Sequence, residues 1–342
     1  MVSLRRFLAV ITFTVVSLGI QAQMKQTYYP DFKPNESAVY EYTYTQRCTN
    51  IDDGEDNFAI NAYSLLQVDN INNIFQKAKS GETYTNKFRL TLLEATAYTY
   101  TFELDIITPC NITKESTDQD VWMLDVIAQS LEKVKPQITF PRDMSSFMIT
   151  NKREIIKQVG SDLWVAMLRD KHFPMQMEAE MPTEEEMIDQ VTEEFNKGNA
   201  LFDDIDILSP GFRAFMLFYC QPYVLGDFTL GTPLDGSNSD DIYLHQEAEM
   251  GDDGSLNFSS SNDFYRIVNT EAIDVDTTRK AKEGMIFEND KIFTTHTDNV
   301  LCTVEINMKS DADTWIRSYR VGSMARFKSA IWTGIEHLKR IK

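Results

Sequence analysis

One short stretch of the chain combines side chains that could bind a metal ion or transfer a proton. His245, Glu247 and Glu249 are spaced two residues apart in a run that has the alternation of a β-strand. Alternate side chains of a strand point to the same face, so these three are expected to project together. One imidazole and two carboxylates could hold zinc and leave one coordination position open. They form a candidate metal or acid–base site, beside the simpler interpretation of a solvated strand face.

The rest of the sequence lacks the common local signatures of catalysis. A Gly-x-Ser-x-Gly elbow, a His-Glu-x-x-His pair and a Walker loop are all absent. Paired carboxylates of the glycosidase type follow no fixed local spacing, and the chain offers 52 acidic residues from which to choose. No cofactor is predicted. A secreted hydrolase of glycans or peptides, acting through such carboxylates or through the His245 group, is kept as the alternative function.

A methionine-bearing segment offers a different kind of site. Met175, Met177 and Met181 lie in an acidic stretch between two predicted helices. Methionine is flexible and polarizable, so segments of this kind can line adaptable apolar sites. These three residues are the candidate ligand-binding residues, and the alternative is that they fill gaps in a core.

The four cysteines set limits on covalent cross-links. An exported chain can keep disulfides, and four cysteines allow three full pairings. Cys48 and Cys110 each end a strand-like run, which makes them the disulfide candidate. Cys220 and Cys302 lie in apolar runs and are expected to be small buried side chains.

The first 22 residues have the pattern of a secretory signal peptide. Arg5 and Arg6 precede a mostly apolar run, and Ala22 provides a small residue at the expected cleavage point. The apolar run is shorter than the ~20 residues that a membrane-spanning helix needs. The sequence therefore predicts an exported protein, periplasmic or secreted, that does not span a membrane after the signal is removed.

Charge and composition narrow the possible partners. The formal charge is −19 and moves to −21 without the signal, because two arginines leave and no acid does. Nucleic acid binding depends on Lys and Arg that neutralise phosphates, so this balance disfavours it. A hydrophobic content of 42% with 21 Phe predicts a sizeable core rather than disorder. The expected partners are an apolar small molecule or an envelope protein.

Strand patterns dominate both flanks of the chain. Tyr40, Tyr42 and Tyr44 alternate with polar residues, which predicts a strand with one aromatic face. That face is expected to be part of a core, with a sugar-stacking platform as the alternative. Similar alternation recurs over residues 98–106 and 300–308. One wet and one dry face on each strand indicate antiparallel sheet.

Helical patterns occur in the centre of the chain and in its last 20 residues. Thr183 and Glu186 form a capping box, and an apolar run follows Ser209-Pro210. A closing amphipathic helix is predicted after Ser323. Its apolar stripe would consist of Met324, Phe327, Ile331, Ile335 and Leu338.

These patterns predict an α+β fold of curved antiparallel sheet in two strand-rich flanks, a central helical block and a C-terminal helix. Residues 23–342 are expected to form one domain. A division into lobes is the alternative, with strand-rich residues 23–150, helical residues 151–221, and strands plus a helix over 222–342.

The ending Gln21-Ala22-Gln23, the Tyr40–Tyr44 strand and the hairpin turn at residues 309–313 resemble exported bacterial envelope proteins of uncharacterised function. Some of these are similar to the lipoprotein-carrier half-barrel, in which a bent sheet and helices enclose an apolar cavity. The resemblance implies a non-enzymatic binding protein for an apolar ligand or an envelope partner. A structural or adhesive role is a third hypothesis.

Overall fold

The computed structural model describes residues 28–50, 81–111, 118–169, 182–197, 200–219, 223–232, 242–274, 292–327 and 330–342. Within these ranges the chain forms five helices and eleven strands. The helices are α1 (Asp118–Lys133), α2 (Lys152–Arg169), α3 (Glu184–Asn196), α4 (Ala200–Leu208) and α5 (Pro210–Tyr219). The strands are β1 (Ser37–Asn50), β2 (Thr83–Ala95), β3 (Thr99–Thr108), β4 (Gln137–Pro141), β5 (Met148–Ile149), β6 (Gly226–Leu230), β7 (Ile242–Met250), β8 (Leu256–Asp274), β9 (Ile292–Ser310), β10 (Ile316–Phe327) and β11 (Ala330–Arg340).

The described strands belong to one open, curved, antiparallel sheet. Its strand order is β5-β4-β3-β2-β1-β11-β10-β9-β8-β7-β6. The first strand lies near the middle, because β1 pairs with β2 on one side and with β11 on the other. The two strand-rich flanks thus join edge to edge in a single sheet. The predicted α+β class, with curved antiparallel sheet and a central helical block, is confirmed.

The predicted C-terminal helix is wrong, because this part of the chain forms β10 and β11. Strand β11 pairs with β1 on one side and with β10 on the other. Ile335 is 42% exposed whereas Leu338 is fully buried, so the two side chains lie on opposite faces instead of sharing one stripe. The β-branched Ile331, Thr333 and Ile335 suit a strand. Partner strands on both sides supply its backbone hydrogen bonds and override the helical spacing.

The aromatic face of β1 is part of the core, as expected. Tyr40, Tyr42 and Tyr44 are each at most 1% exposed. The Tyr40 ring stacks on Phe88 of β2 at 5.3 Å between centroids and meets Phe215 of α5 edge-on at 5.7 Å. Buried in this way, the tyrosines hold the helices on the sheet and are not available as a sugar-stacking platform.

The central helical block covers one face of the sheet in two layers. Helix α5, buried along almost its whole length, packs against β1, β2, β10 and β11, while α1 packs against β3. Helix α2 lies on α1 and α3. The capping box at the start of α3 is confirmed: the Glu186 N–H donates to Thr183 Oγ1 at 3.2 Å, and the Thr183 N–H donates to Glu186 Oε2 at 2.7 Å.

Candidate binding site on the inner face of the sheet

The face of the sheet that packs against the helices, here called the inner face, changes character along β7–β10. Nearest the helices, Met308 of β9 and Tyr319 of β10 lie opposite each other and are buried. Six residues further along these strands, Cys302 and Ala325 lie opposite each other and are fully buried. Between the two buried rows, the inner-face positions of β7–β10 include Leu244 and Ser260, which are buried, and six side chains that are partly exposed. We call these six the inner belt: Gln246, Asn262, Val304, Ile306, Val321 and Ser323.

The strand register brings the inner belt together. Val304 is the Cα partner of Asn262 on one side and of Ser323 on the other. One step nearer the helices, Ile306 lies opposite Val321. Directly opposite residues of adjacent strands project on the same face, with Cβ atoms about 5 Å apart. The belt therefore presents an apolar centre on β9 and β10 and amide or hydroxyl groups around it.

The side-chain oxygen of Asn262 differs from the other polar atoms of the belt. The Oδ1 atom of Asn262 is buried and has no hydrogen-bond partner among the described residues, although the residue as a whole is partly exposed. An unsatisfied buried acceptor costs about 1–3 kcal/mol. Native structures tolerate few such groups, and those that remain mark strain or a site for a ligand or water. Asn262 is therefore the most informative residue of the belt.

A carboxylate lies beside the belt on β11. Glu336 is the Cα partner of Val321 on β10 and of Tyr44 on β1. Burial raises the pKa of both Tyr42 and Tyr319, and the Glu336 carboxylate raises both pKa values further. The hydroxyl groups of Tyr42 and Tyr319 therefore stay protonated at neutral pH.

The helices that cover the inner face contribute a buried ion pair near the β10 and β11 side of the belt. Arg213 of α5 donates to Asp206 Oδ2 of α4 at 2.7 Å, and both side chains are at most 10% exposed. The Arg213 charge also reaches Tyr319, whose pKa it lowers against the larger effect of burial. Burial raises the pKa of Asp206 to about 6, although Arg213 opposes the shift. The pair fixes α4 against α5 above the sheet.

The candidate metal residues lie on the opposite, outer face. His245, Glu247 and Glu249 share that face of β7, as the alternation predicted. His245 Nδ1 lies 3.0 Å from Thr229 Oγ1 and 3.6 Å from Asp227 Oδ1 of the edge strand β6. Over the ranges that the structure describes, no group of three or more His, Cys, Asp or Glu side chains is arranged to hold a metal ion. The three residues thus lie together, apart from the inner belt.

Two further predictions of sites fall wholly or partly outside the described residues. Met175, Met177 and Met181 lie in one of the gaps. Cys48 is in β1, but its side chain is outside the described part, while Cys110 is buried and its N–H donates to the Leu208 carbonyl at 2.9 Å. The methionine site and the Cys48–Cys110 disulfide stay predictions.

The sequence contained one signal of the inner belt that the pattern analysis missed. In β8 the apolar positions Phe258 and Phe264 are separated by an entirely polar run. Two residues of that run, Ser260 and Asn262, occupy inner-face positions where the alternation calls for apolar side chains. When polar residues occupy positions where the strand pattern calls for apolar ones, the reason is often a functional site.

No family model matches the chain, and no curated protein matches it. None of the described helices is both long and apolar enough to cross a membrane.

Proposed function

We propose that the protein is an exported, non-enzymatic binding protein that holds an apolar or amphipathic small molecule on the inner belt. The observation that carries the proposal is the partial exposure of Val304, Ile306 and Val321 between two buried rows of the same face. Small-molecule sites are mostly apolar surfaces with a few placed polar groups. The inner belt has this composition.

The energetics of such a site favour a ligand with a hydrocarbon portion. Each CH₂ group that is buried on binding contributes about 0.8 kcal/mol. Val304, Ile306 and Val321 form a contiguous apolar surface across two strands, because Ile306 and Val321 are opposite and Val304 is two residues along β9. A chain lying across these strands would cover all three side chains and displace water from them.

The architecture supports the likeness to the lipoprotein-carrier half-barrel. An open, curved antiparallel sheet carries its helices on one face. In a carrier of that kind, the ligand lies between sheet and helices. An export signal would place the protein in the envelope or outside the cell, where apolar molecules need a carrier through water.

Native mass spectrometry and dye binding test the proposal together. The mature protein, residues 23–342, is purified from an exporting host without detergent and titrated with an uncharged fluorescent apolar dye. We expect saturable binding of about one dye per chain, or a co-purified apolar molecule that leaves on denaturation. Absence of both from folded protein would refute the proposal.

Matched variants locate the binding. Val304→Asp places a charge in the apolar centre of the belt, and we expect it to weaken dye binding at least tenfold. Asn307→Asp introduces the same carboxylate three residues along β9 on the exposed outer face. It should leave dye binding unchanged, and equal losses in both variants would place the dye elsewhere.

The hydrolase alternative, acting through carboxylates or through His245, Glu247 and Glu249, stays a prediction. It is tested separately, by incubating the mature protein with peptide and glycan substrates with and without added zinc. Hydrolysis that His245→Ala abolishes would favour it over the binding function.

A further inference from the structure

We propose that the inner belt selects ligands whose head group is an uncharged hydrogen-bond donor, received by the carboxamide of Asn262 while the hydrocarbon chain crosses Val304, Ile306 and Val321. The inference rests on the binding function proposed above and specifies its ligand class. Head groups of this class carry hydroxyl or amide groups, as in monoacylglycerols and fatty alcohols, and not carboxylates or phosphates.

Among the described residues, the inner-face side chains around Asn262 are uncharged. Leu244 and Val304 lie directly opposite on the neighbouring strands. Ser260 and Phe264 are two positions away along β8, and the diagonal positions nearer the helices carry Gln246 and Ile306. An ionised head group here would lose water without gaining a counter-charge, and burying an unpaired charge is far more costly than burying a hydrogen-bonded neutral group. The site therefore disfavours anions and cations alike.

The orphaned oxygen defines which neutral group fits. Asn262 Oδ1 is buried and lacks a donor among the described residues. A carboxamide oxygen accepts hydrogen bonds, so its missing partner is an O–H or N–H. The χ2 torsion of asparagine is broad, which lets the oxygen turn toward a donor that arrives on the partly exposed side of the residue. A hydroxyl head group would satisfy it, whereas an ionised carboxylate could only accept from the Nδ2 amide group and would leave the oxygen without a donor.

Chain-matched probes test the head-group preference by displacement of the uncharged dye. The probes are monolaurin, laurate and dodecylammonium, which share a C12 chain and differ in charge, all below their aggregation limits at pH 7.5. We expect monolaurin to bind about tenfold more tightly than laurate, which is the scale of one buried hydrogen bond. Laurate binding as tightly as monolaurin would overturn the inference.

Two substitutions at Asn262 tie the preference to this residue. Asn262→Leu should reduce the ratio of monolaurin to laurate affinity to near one, whereas Asn257→Leu, on the outer face of the same strand, should leave the ratio unchanged. Asn262→Asp keeps the shape and adds a negative charge, so it should strengthen dodecylammonium binding severalfold. An unchanged ratio in Asn262→Leu, or no gain in Asn262→Asp, would refute the role of Asn262.

The outcomes separate this inference from the function on which it rests. If the dye does not bind and none of the three probes binds to folded protein, the binding function itself fails. If the probes bind but do not discriminate by head group, the binding function stands and the ligand class proposed here is wrong.

Discussion

The backbone N–H of Gly211 donates to the side-chain oxygen of Asn86 at 3.3 Å, which ties the first turn of α5 to strand β2. The same oxygen accepts from Ser209 Oγ at 3.1 Å. The Asn86 amide group donates to the Thr108 carbonyl at 2.9 Å and to the Leu208 carbonyl at 3.4 Å. One buried carboxamide thus joins β2, β3 and the junction of α4 and α5. The position of the helical cover on the sheet depends on it.

Gly211→Ala should destabilise the protein by about 1–3 kcal/mol, because the added methyl group overpacks the helix–sheet contact. A Cβ at this position would lie 2.6 Å from Tyr42 Cβ and 2.8 Å from Phe88 Cε1, and both of these side chains are buried. Gly322→Ala is the matched control, since its nearest neighbour, a Glu305 oxygen, is 4.0 Å away. Urea unfolding measures both variants, and equal stabilities would contradict the close packing of α5.

Asn86→Leu should lower the free energy of unfolding by more than the change in side-chain shape alone would. It removes the partner of the Ser209 hydroxyl and the Gly211 N–H inside the core, and each unsatisfied buried group costs about 1–3 kcal/mol. The expected loss is about 2–4 kcal/mol in the free energy of unfolding. Asn307→Leu, on the exposed outer face of β9, is the control and should change stability by less than about 0.5 kcal/mol. A loss at Asn86 no larger than in the control would show that this network does not hold the cover.

The sequence carried the class of the fold because alternation is a local property. Tyr40, Tyr42 and Tyr44 face the core in the order that their spacing predicted. The end of the chain was predicted wrongly for the same reason. Ile331, Ile335 and Leu338 fit a helical stripe, and the pairing of β11 with β10 and with β1, the latter almost 300 residues away in sequence, makes the strand the better structure.

The candidate site was beyond prediction because it is created by register. Asn262, Val304 and Ser323 become neighbours only when three antiparallel strands align residue by residue. The alternation of His245, Glu247 and Glu249, which lie close in sequence, correctly predicted that they share one face of β7. Alternation alone does not tell which face of a strand is turned away from the helices.

Arg213→Met should destabilise the protein by about 3–5 kcal/mol, because Asp206 would be left as an unpaired charge in the core. Asp206 is 2% exposed, and its second oxygen already lacks a hydrogen-bond partner among the described residues. The double variant Arg213→Met with Asp206→Leu replaces the pair by apolar groups and should recover most of the loss. A double variant as unstable as Arg213→Met would show that Arg213 acts through its packing rather than through its charge.

Two aspartates of α4, Asp204 and Asp206, should contribute stability that is lost as pH rises from about 4 to about 7, because they hold their protons more strongly in the folded state. Burial raises the pKa of Asp204 to about 7, with Asp203 and Glu194 adding repulsion, and burial raises that of Asp206 to about 6. The pKa of an unfolded aspartate is about 3.9, so these two groups bind more protons in the folded state throughout this window and stabilise the fold most at its acidic end.

Asp204→Asn should therefore raise the free energy of unfolding at pH 7.5 by about 1–2 kcal/mol, after allowance for its partial exposure. It should also reduce the dependence of that free energy on pH between pH 5 and 7.5. Asp189→Asn, an exposed position on α3, serves as the control. If the free energy of unfolding of wild type and of Asp204→Asn changes with pH in the same way, Asp204 is ionised at no cost in the folded protein.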